Sequence, residues 1–328
     1  MIVKASAVYS VIGLSLAALL ITCSSQAGDR KAAMAGSWYP GTKKALSAEV
    51  RGYLEEAGPV DVAGRPVGVV APHAGYQWSG RAAGRAFRPL EGWKYKRVVL
   101  LGISHRYPLR GVSVDAFDNY ITPLGKIPLD KEACDALLKG QLFSWEPRAS
   151  LNEHSLEIEL PFLQTVLGKF ELIPVIVGDV SEGEIVQIVR EVKRFVDGET
   201  LVVASSDFTH YGAAFGYLPF RQDARKNLEK LDRGAIDFII GKDLPGFTGY
   251  IRKTGATICG RNAIAILIEL MPENARGYLL DYYTSGGLTG DFSHSVSYAA
   301  IIFTVEEKTH VEKKTKEITE HTETIKNK

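Results

Sequence analysis

The chain has 328 residues, with 39 Lys and Arg against 38 Asp and Glu, a formal net charge of +1 and 45% hydrophobic residues. These balances exclude wholesale disorder, which needs low hydrophobicity and high net charge, and they offer no basic footprint for nucleic acid. Three cysteines, Cys23, Cys134 and Cys259, exclude a disulfide scaffold, and a chain of this length buries a core without one.

The first feature along the chain is a leader over 1–27. One cation, Lys4, precedes an apolar run from about Val8 to Ile21, and small residues follow. This is the grammar of a signal peptide; a spanning helix needs about 20 apolar residues. Cys23 closes Leu20-Ile21-Thr22-Cys23, which resembles a bacterial lipobox whose cysteine is lipidated. Thr22 stands where Gly or Ala is usual, so ordinary cleavage after Ser25-Gln26-Ala27 and an uncleaved anchor stay open. Each route predicts export, as a periplasmic protein or a membrane-anchored lipoprotein with its lipid on Cys23.

No repeat, low-complexity linker or Pro/Gly-rich break interrupts the stretch from Ala33 to Val305, so 33–305 is expected to form one domain. Buried-strand runs lie at Val67–Ala71, Arg97–Gly102, Leu172–Gly178, Leu201–Ala204, Tyr278–Tyr283 and Val296–Val305. Helical patterns lie at Lys44–Glu56, Lys131–Leu138, Glu153–Leu167, Glu182–Phe195, Arg221–Ile240 and Asn262–Leu270. The alternation predicts an α/β fold with a central, mostly parallel or mixed sheet flanked by helices. The segment 306–328 is rich in Lys and Glu and is expected to be a solvated tail outside any core.

Three of the seven histidines follow strand runs: His73 after Val69-Val70-Ala71-Pro72, His105 after Leu101-Gly102-Ile103-Ser104, and His210 after Ser205-Ser206-Asp207-Phe208-Thr209. Open α/β sheets build sites at the carboxyl ends of their strands, so parallel strands would bring these side chains to one rim. A shared metal or acid/base site and scattered structural histidines are the two readings. Gly75 and Gly80 after His73 allow close approach of a ligand, or simply a turn into the next helix. Asp207, three residues before His210, could fix the imidazole tautomer, act as an independent site residue or cap a helix. Cys259 opens the last helical run, where a thiolate is stabilised; a buried thiol or a disulfide to Cys134 are alternatives. His154, at the start of a helix with Asn152 as a plausible N-cap, could line a cavity and shares a helix face with Glu157, or could cap. His294 reads as a loop residue before the last strand.

These segments together resemble the Memo family, called AmmeMemoRadiSam system protein B in prokaryotes. The matching runs are Ala35-Gly36-Ser37-Trp38-Tyr39-Pro40, Ala71-Pro72-His73-Ala74-Gly75-Tyr76, Gly102-Ile103-Ser104-His105 and Glu153-His154-Ser155-Leu156-Glu157. They continue as Pro174-Val175-Ile176-Val177-Gly178, Ser205 through Gly212, Ile258-Cys259-Gly260-Arg261 and Ser295 through Ala300, in the family's order. The resemblance implies a fold similar to the class III extradiol dioxygenases of the LigB superfamily. It implies iron or copper held by His73, His105 and Cys259, with His210 in an acid/base position beside Asp207 and His154 lining the same cavity. It also makes a Cys134–Cys259 disulfide unexpected.

In the ligand set the resemblance implies, a thiolate would replace the carboxylate of a dioxygenase metal face, and a His₂Cys set also suits copper or zinc. The expected function is a metal-dependent oxidoreductase acting on a small molecule or peptide. The family name implies a functional link to AMMECR-like and radical SAM proteins. Two rivals are a non-catalytic peptide- or partner-binding module, which exposed Trp38, Tyr39, Tyr76 and Trp78 could serve, and a metal-dependent hydrolase. No Walker loop, strand-borne GxGxxG or paired CxxC supports a nucleotide or nicotinamide.

Overall fold

The computed structural model describes residues 28–306. The leader with Cys23, and the tail beyond Glu306 with His310 and His321, lie outside the described residues. The strands are β1 (Asp29–Arg30), β2 (Arg65–Ala71), β3 (Arg97–Ile103), β4 (Val112–Val114), β5 (Asn119–Thr122), β6 (Gly125–Pro128), β7 (Phe143–Ser144), β8 (Glu171–Val177), β9 (Thr200–Ser205), β10 (His210–Gly212), β11 (Arg276–Thr284) and β12 (His294–Val305). The helices are α1 (Lys43–Ala57), α2 (Tyr76–Phe87), α3 (Lys131–Leu137), α4 (Pro147–Ser150), α5 (Leu160–Leu167), α6 (Glu182–Val192), α7 (Ala224–Ile240), α8 (Leu244–Thr254), α9 (Arg261–Leu270) and α10 (Ser285–Thr289).

One mixed sheet runs in the order β10-β12-β2-β9-β3-β8-β4-β7, with β11 paired to the other edge of β12 along part of its length. Its centre, β2-β9-β3-β8, is parallel throughout. These are the continuous apolar runs, and Val98 to Leu101 and Leu201 to Ala204 are fully buried because helices flank the sheet. Helix α9 packs on β3 and β9, and α2 packs on β2, β11 and β12. A small sheet, β1-β5-β6, stands apart.

All six predicted strands form. The parallel register carries the ends of β2, β3 and β9 to one edge of the sheet, so the residues just beyond them meet. Helix α2, unlisted among the sequence patterns, opens three residues after His73. Its Gly80 and Gly84 face Tyr53 of α1, where an added Cβ would stand 2.4 Å from the ring and 2.5 Å from the backbone oxygen. Close helix packing therefore takes small residues that weaken the apolar signal of α2. Helix α8 was also unforeseen.

The helix expected over Glu153–Leu167 is shorter. Residues 153–156 form no helix, a 3-10 turn spans Glu157–Glu159, and α5 follows. The Glu153 carboxylate draws in the N–H groups of His154 and Ser155, each at 2.9 Å, and holds the segment as a turn. Asn152 is therefore not an N-cap.

Candidate metal centre

His73 Nε2 lies 3.2 Å from Cys259 Sγ. Ligand atoms of His73, His105 and Cys259 all lie within 4.8 Å of one another, close enough to share one ion. A second grouping, His105, Glu153 and His154, meets the same limit. The His73 and His105 rings stand edge to face with centroids 5.0 Å apart.

Cys259 is aimed by its backbone. Gly260, the residue before α9, sits where an added Cβ would be 2.5 Å from Ser206 Cβ, so only glycine lets the chain approach β9 this closely. The Asp207 N–H then donates to Cys259 Sγ at 3.2 Å. Burial pushes the thiol up, and the Asp207 charge adds to it. A cation at the site would reverse that preference.

His73, His105 and His210 are each tied through Nδ1. His105 Nδ1 donates to Glu153 Oε1 at 2.8 Å, while the His105 N–H donates to Glu153 Oε2 at 2.6 Å. His73 Nδ1 lies 2.8 Å from Ser205 Oγ. His210 Nδ1 donates to the carbonyls of Phe208 at 3.0 Å and Thr257 at 3.2 Å. In a neutral ring, a donating Nδ1 leaves Nε2 a bare acceptor, the arrangement that a carboxylate or carbonyl behind a metal-bound histidine produces. Burial drives His73 well below the usual imidazole range, helped by His105, His154 and His210. A neutral ring is the form that binds a metal.

A cavity of about 700 Å³ opens over the cluster. Trp38, His154 and His105 line one wall, His105 stacked on His154 with centroids 4.2 Å apart and Trp38 tilted against His154 at 4.4 Å. Phe215, flanked by His210 and His294, lines another. A second cleft of about 550 Å³ is lined by Cys259 together with His105, His210 and Arg261.

The family model for Memo-like protein matches residues 30–302. The chain belongs to the Memo-like family. Human Protein MEMO1 is 32% identical over 295 residues, 84% of this chain and 97% of its own. A MEMO1 family protein of Methanopyrus kandleri is 33% identical over 290 residues, covering 84% and 99%. The memo-1 homolog of Caenorhabditis elegans is 30% identical over 291 residues, covering 83% and 81%.

This Memo-like chain brings His73, His105, Cys259, His154, His210 and Asp207 to one place, but several assignments of detail change. His210 does not end β9; it opens β10, which pairs with β12. Asp207 makes no described hydrogen bond to His210 and instead accepts the His73 N–H at 2.8 Å. His294 is the first residue of β12. Tyr39 and Tyr76 are core, while Trp38 is half-buried and Trp78 exposed at the cavity mouth. Among the described residues, Cys134 is buried and Cys259 half-buried, and neither forms a disulfide.

Glu157 turns away from His154. Its carboxylate takes Arg30 Nη1 at 2.7 Å, the Tyr39 hydroxyl at 2.6 Å and the N–H groups of Ala33 and Met34. Glu153, Ser205, Thr257 and Glu159 were not singled out as site residues. The charge pattern offered one clue to Glu153, a carboxylate directly before a cavity histidine. Nothing local marks Ser205 or Thr257.

Proposed function

We propose that this Memo-like protein is a metal-binding redox protein whose His73, His105 and Cys259 hold one iron or copper ion, with zinc as the redox-inert rival. The observation that carries the reading is the convergence of two tied imidazoles and a half-buried thiol on one point at the sheet edge. When bound, such a metal supplies electron transfer and open positions for a small ligand. Glu153 orients His105, and Asp207 holds the His73 backbone in place. His210 presents a bare Nε2 to the cavity and takes or returns a proton there. Trp38 and Phe215 provide apolar faces for the substrate, a small molecule or peptide side chain, and exclude water around it. The leader supports export, which the mass of the mature N-terminus tests.

Elemental analysis of protein purified without oxygen, beside Cys259→Ser, is the decisive experiment. About one iron or copper per chain, lost in the variant, is expected. Zinc alone at that stoichiometry would remove the redox role, and metal indifferent to the variant would sink the ligand set. The aromatic walls also suit a binding module. That reading gains if a ligand enters the cavity of the metal-loaded protein without oxygen uptake or chemical change.

A further inference from the structure

Ser205, at the end of β9, is fully buried among three polar partners. Its Oγ lies 2.8 Å from His73 Nδ1, 2.8 Å from Glu159 Oε1 and 2.5 Å from the Ser155 carbonyl oxygen. A hydroxyl has one proton to donate and two lone pairs to accept with. The Ser155 carbonyl can only accept, so the Ser205 proton lies on that short contact. Both other partners must then donate to Ser205. His73 donates through Nδ1–H. Glu159 can donate only if it carries a proton.

A second observation agrees. Glu159 is fully buried, and its Oε2 has no hydrogen-bond partner among the described residues. An orphan oxygen on a buried carboxylate is far more costly than the same oxygen on a neutral acid. The titratable groups facing it are Asp207 and Tyr76 of α2, whose hydroxyl donates to the Ile158 carbonyl. Burial raises the Glu159 carboxyl well above its usual range, and the Asp207 charge raises it further.

We propose that Glu159 is a positioning residue of the centre: a neutral carboxylic acid that donates to Ser205 and so helps hold His73 with its proton on Nδ1 and its Nε2 bare toward Cys259. The protonation pattern stands on the hydrogen bonds alone. Its consequence for metal binding rests on His73 being a ligand. Glu159 touches neither metal nor substrate, and it works through Ser205.

Two spectra of the metal-free protein at pH 7 test the pattern. Infrared difference spectra of carbon-13 glutamate-labelled wild type against Glu159→Gln should show a protonated-carboxyl band that the variant lacks. Nitrogen-15 spectra of the histidine rings should place the His73 proton on Nδ1. A carboxylate band at Glu159, or a His73 proton on Nε2, overturns the proposal. The nitrogen spectrum uses wild type, so it decides the matter even where a variant fails to fold. Zinc titration tests the positioning role. Glu159→Gln, whose amide N–H replaces the acid donor, should bind as wild type does, whereas Glu159→Leu should bind about tenfold more weakly. Equal affinity in the two variants overturns positioning. Both spectral signatures in a wild type that takes up no metal would leave the pattern standing and sink the proposed function instead.

Discussion

Two buried polar regions meet at the segment 153–159, and they differ in what their polar atoms do. Around Glu157, Arg30, Tyr39 and two backbone N–H groups converge on one carboxylate. Arg30 also donates to the carbonyls of Ser150 and Glu153. Around His73, the Nδ1 atoms of His73 and His105 are tied, while His73 Nε2 lies 3.2 Å from Cys259 Sγ. Among the described residues His154 Nδ1 has no hydrogen-bond partner, although it lies 3.3 Å from Glu153 Oε1. A closed network holds the chain together, whereas an open one, with acceptors meeting at a cavity, is built for something that enters.

The largest effect should come from opening the closed region. Glu157→Ala strands Arg30, which is 1% exposed, and should cost about 3–5 kcal/mol in a urea melt. A loss below about 1 kcal/mol would erase the distinction, since exposed pairs cost that little.

Asp115, beside Arg30 and Tyr120, comes next. Burial pushes its carboxyl up to about 6, against hydrogen bonds from Tyr120 and Ser150. The folded state thus holds this proton more tightly than the unfolded chain, whose value is near 3.8. The favourable protonated form is fully present below that value and is lost as pH rises through about 6. Asp115→Asn mimics the neutral acid, so it should stabilise by about 2–3 kcal/mol at pH 7.5 and by almost nothing at pH 4. A gain that does not shrink toward acid would contradict this account.

Glu153→Gln weakens the tie behind His105. Affinity for the metal should fall about 10–100-fold, about 1.4–2.7 kcal/mol, in a chelator competition. An unchanged affinity would show that His105 needs no orienting carboxylate.

The smallest effect sets the floor. Arg233 and Glu229 form an exposed pair one turn apart on α7. Arg233→Ala should cost about 0.3–0.5 kcal/mol and leave metal affinity alone. A cost comparable to that of Glu157→Ala would mean that burial is not what separates the pairs.

The central strands were legible because burial on both faces writes itself as unbroken apolar runs, as at Arg97–Ile103. Strands β4 and β7 carry only three and two residues, too few for a periodic signal. The candidate site was legible as a set of residue types at strand ends, and the resemblance to the Memo family grouped them. Their roles were less so. His154 and Glu157 share a face on paper, yet one enters the cavity and the other takes Arg30 from 127 residues away.

By itself, then, the sequence determined the α/β class, the parallel core and the residues that gather at its edge, because strand burial and strand ends are local properties. Tertiary structure alone decided which nitrogen of each histidine is tied, which glutamate stays neutral and which carboxylate answers which cation. Those outcomes depend on donors and acceptors brought together from distant parts of the chain, and no local pattern records where they meet.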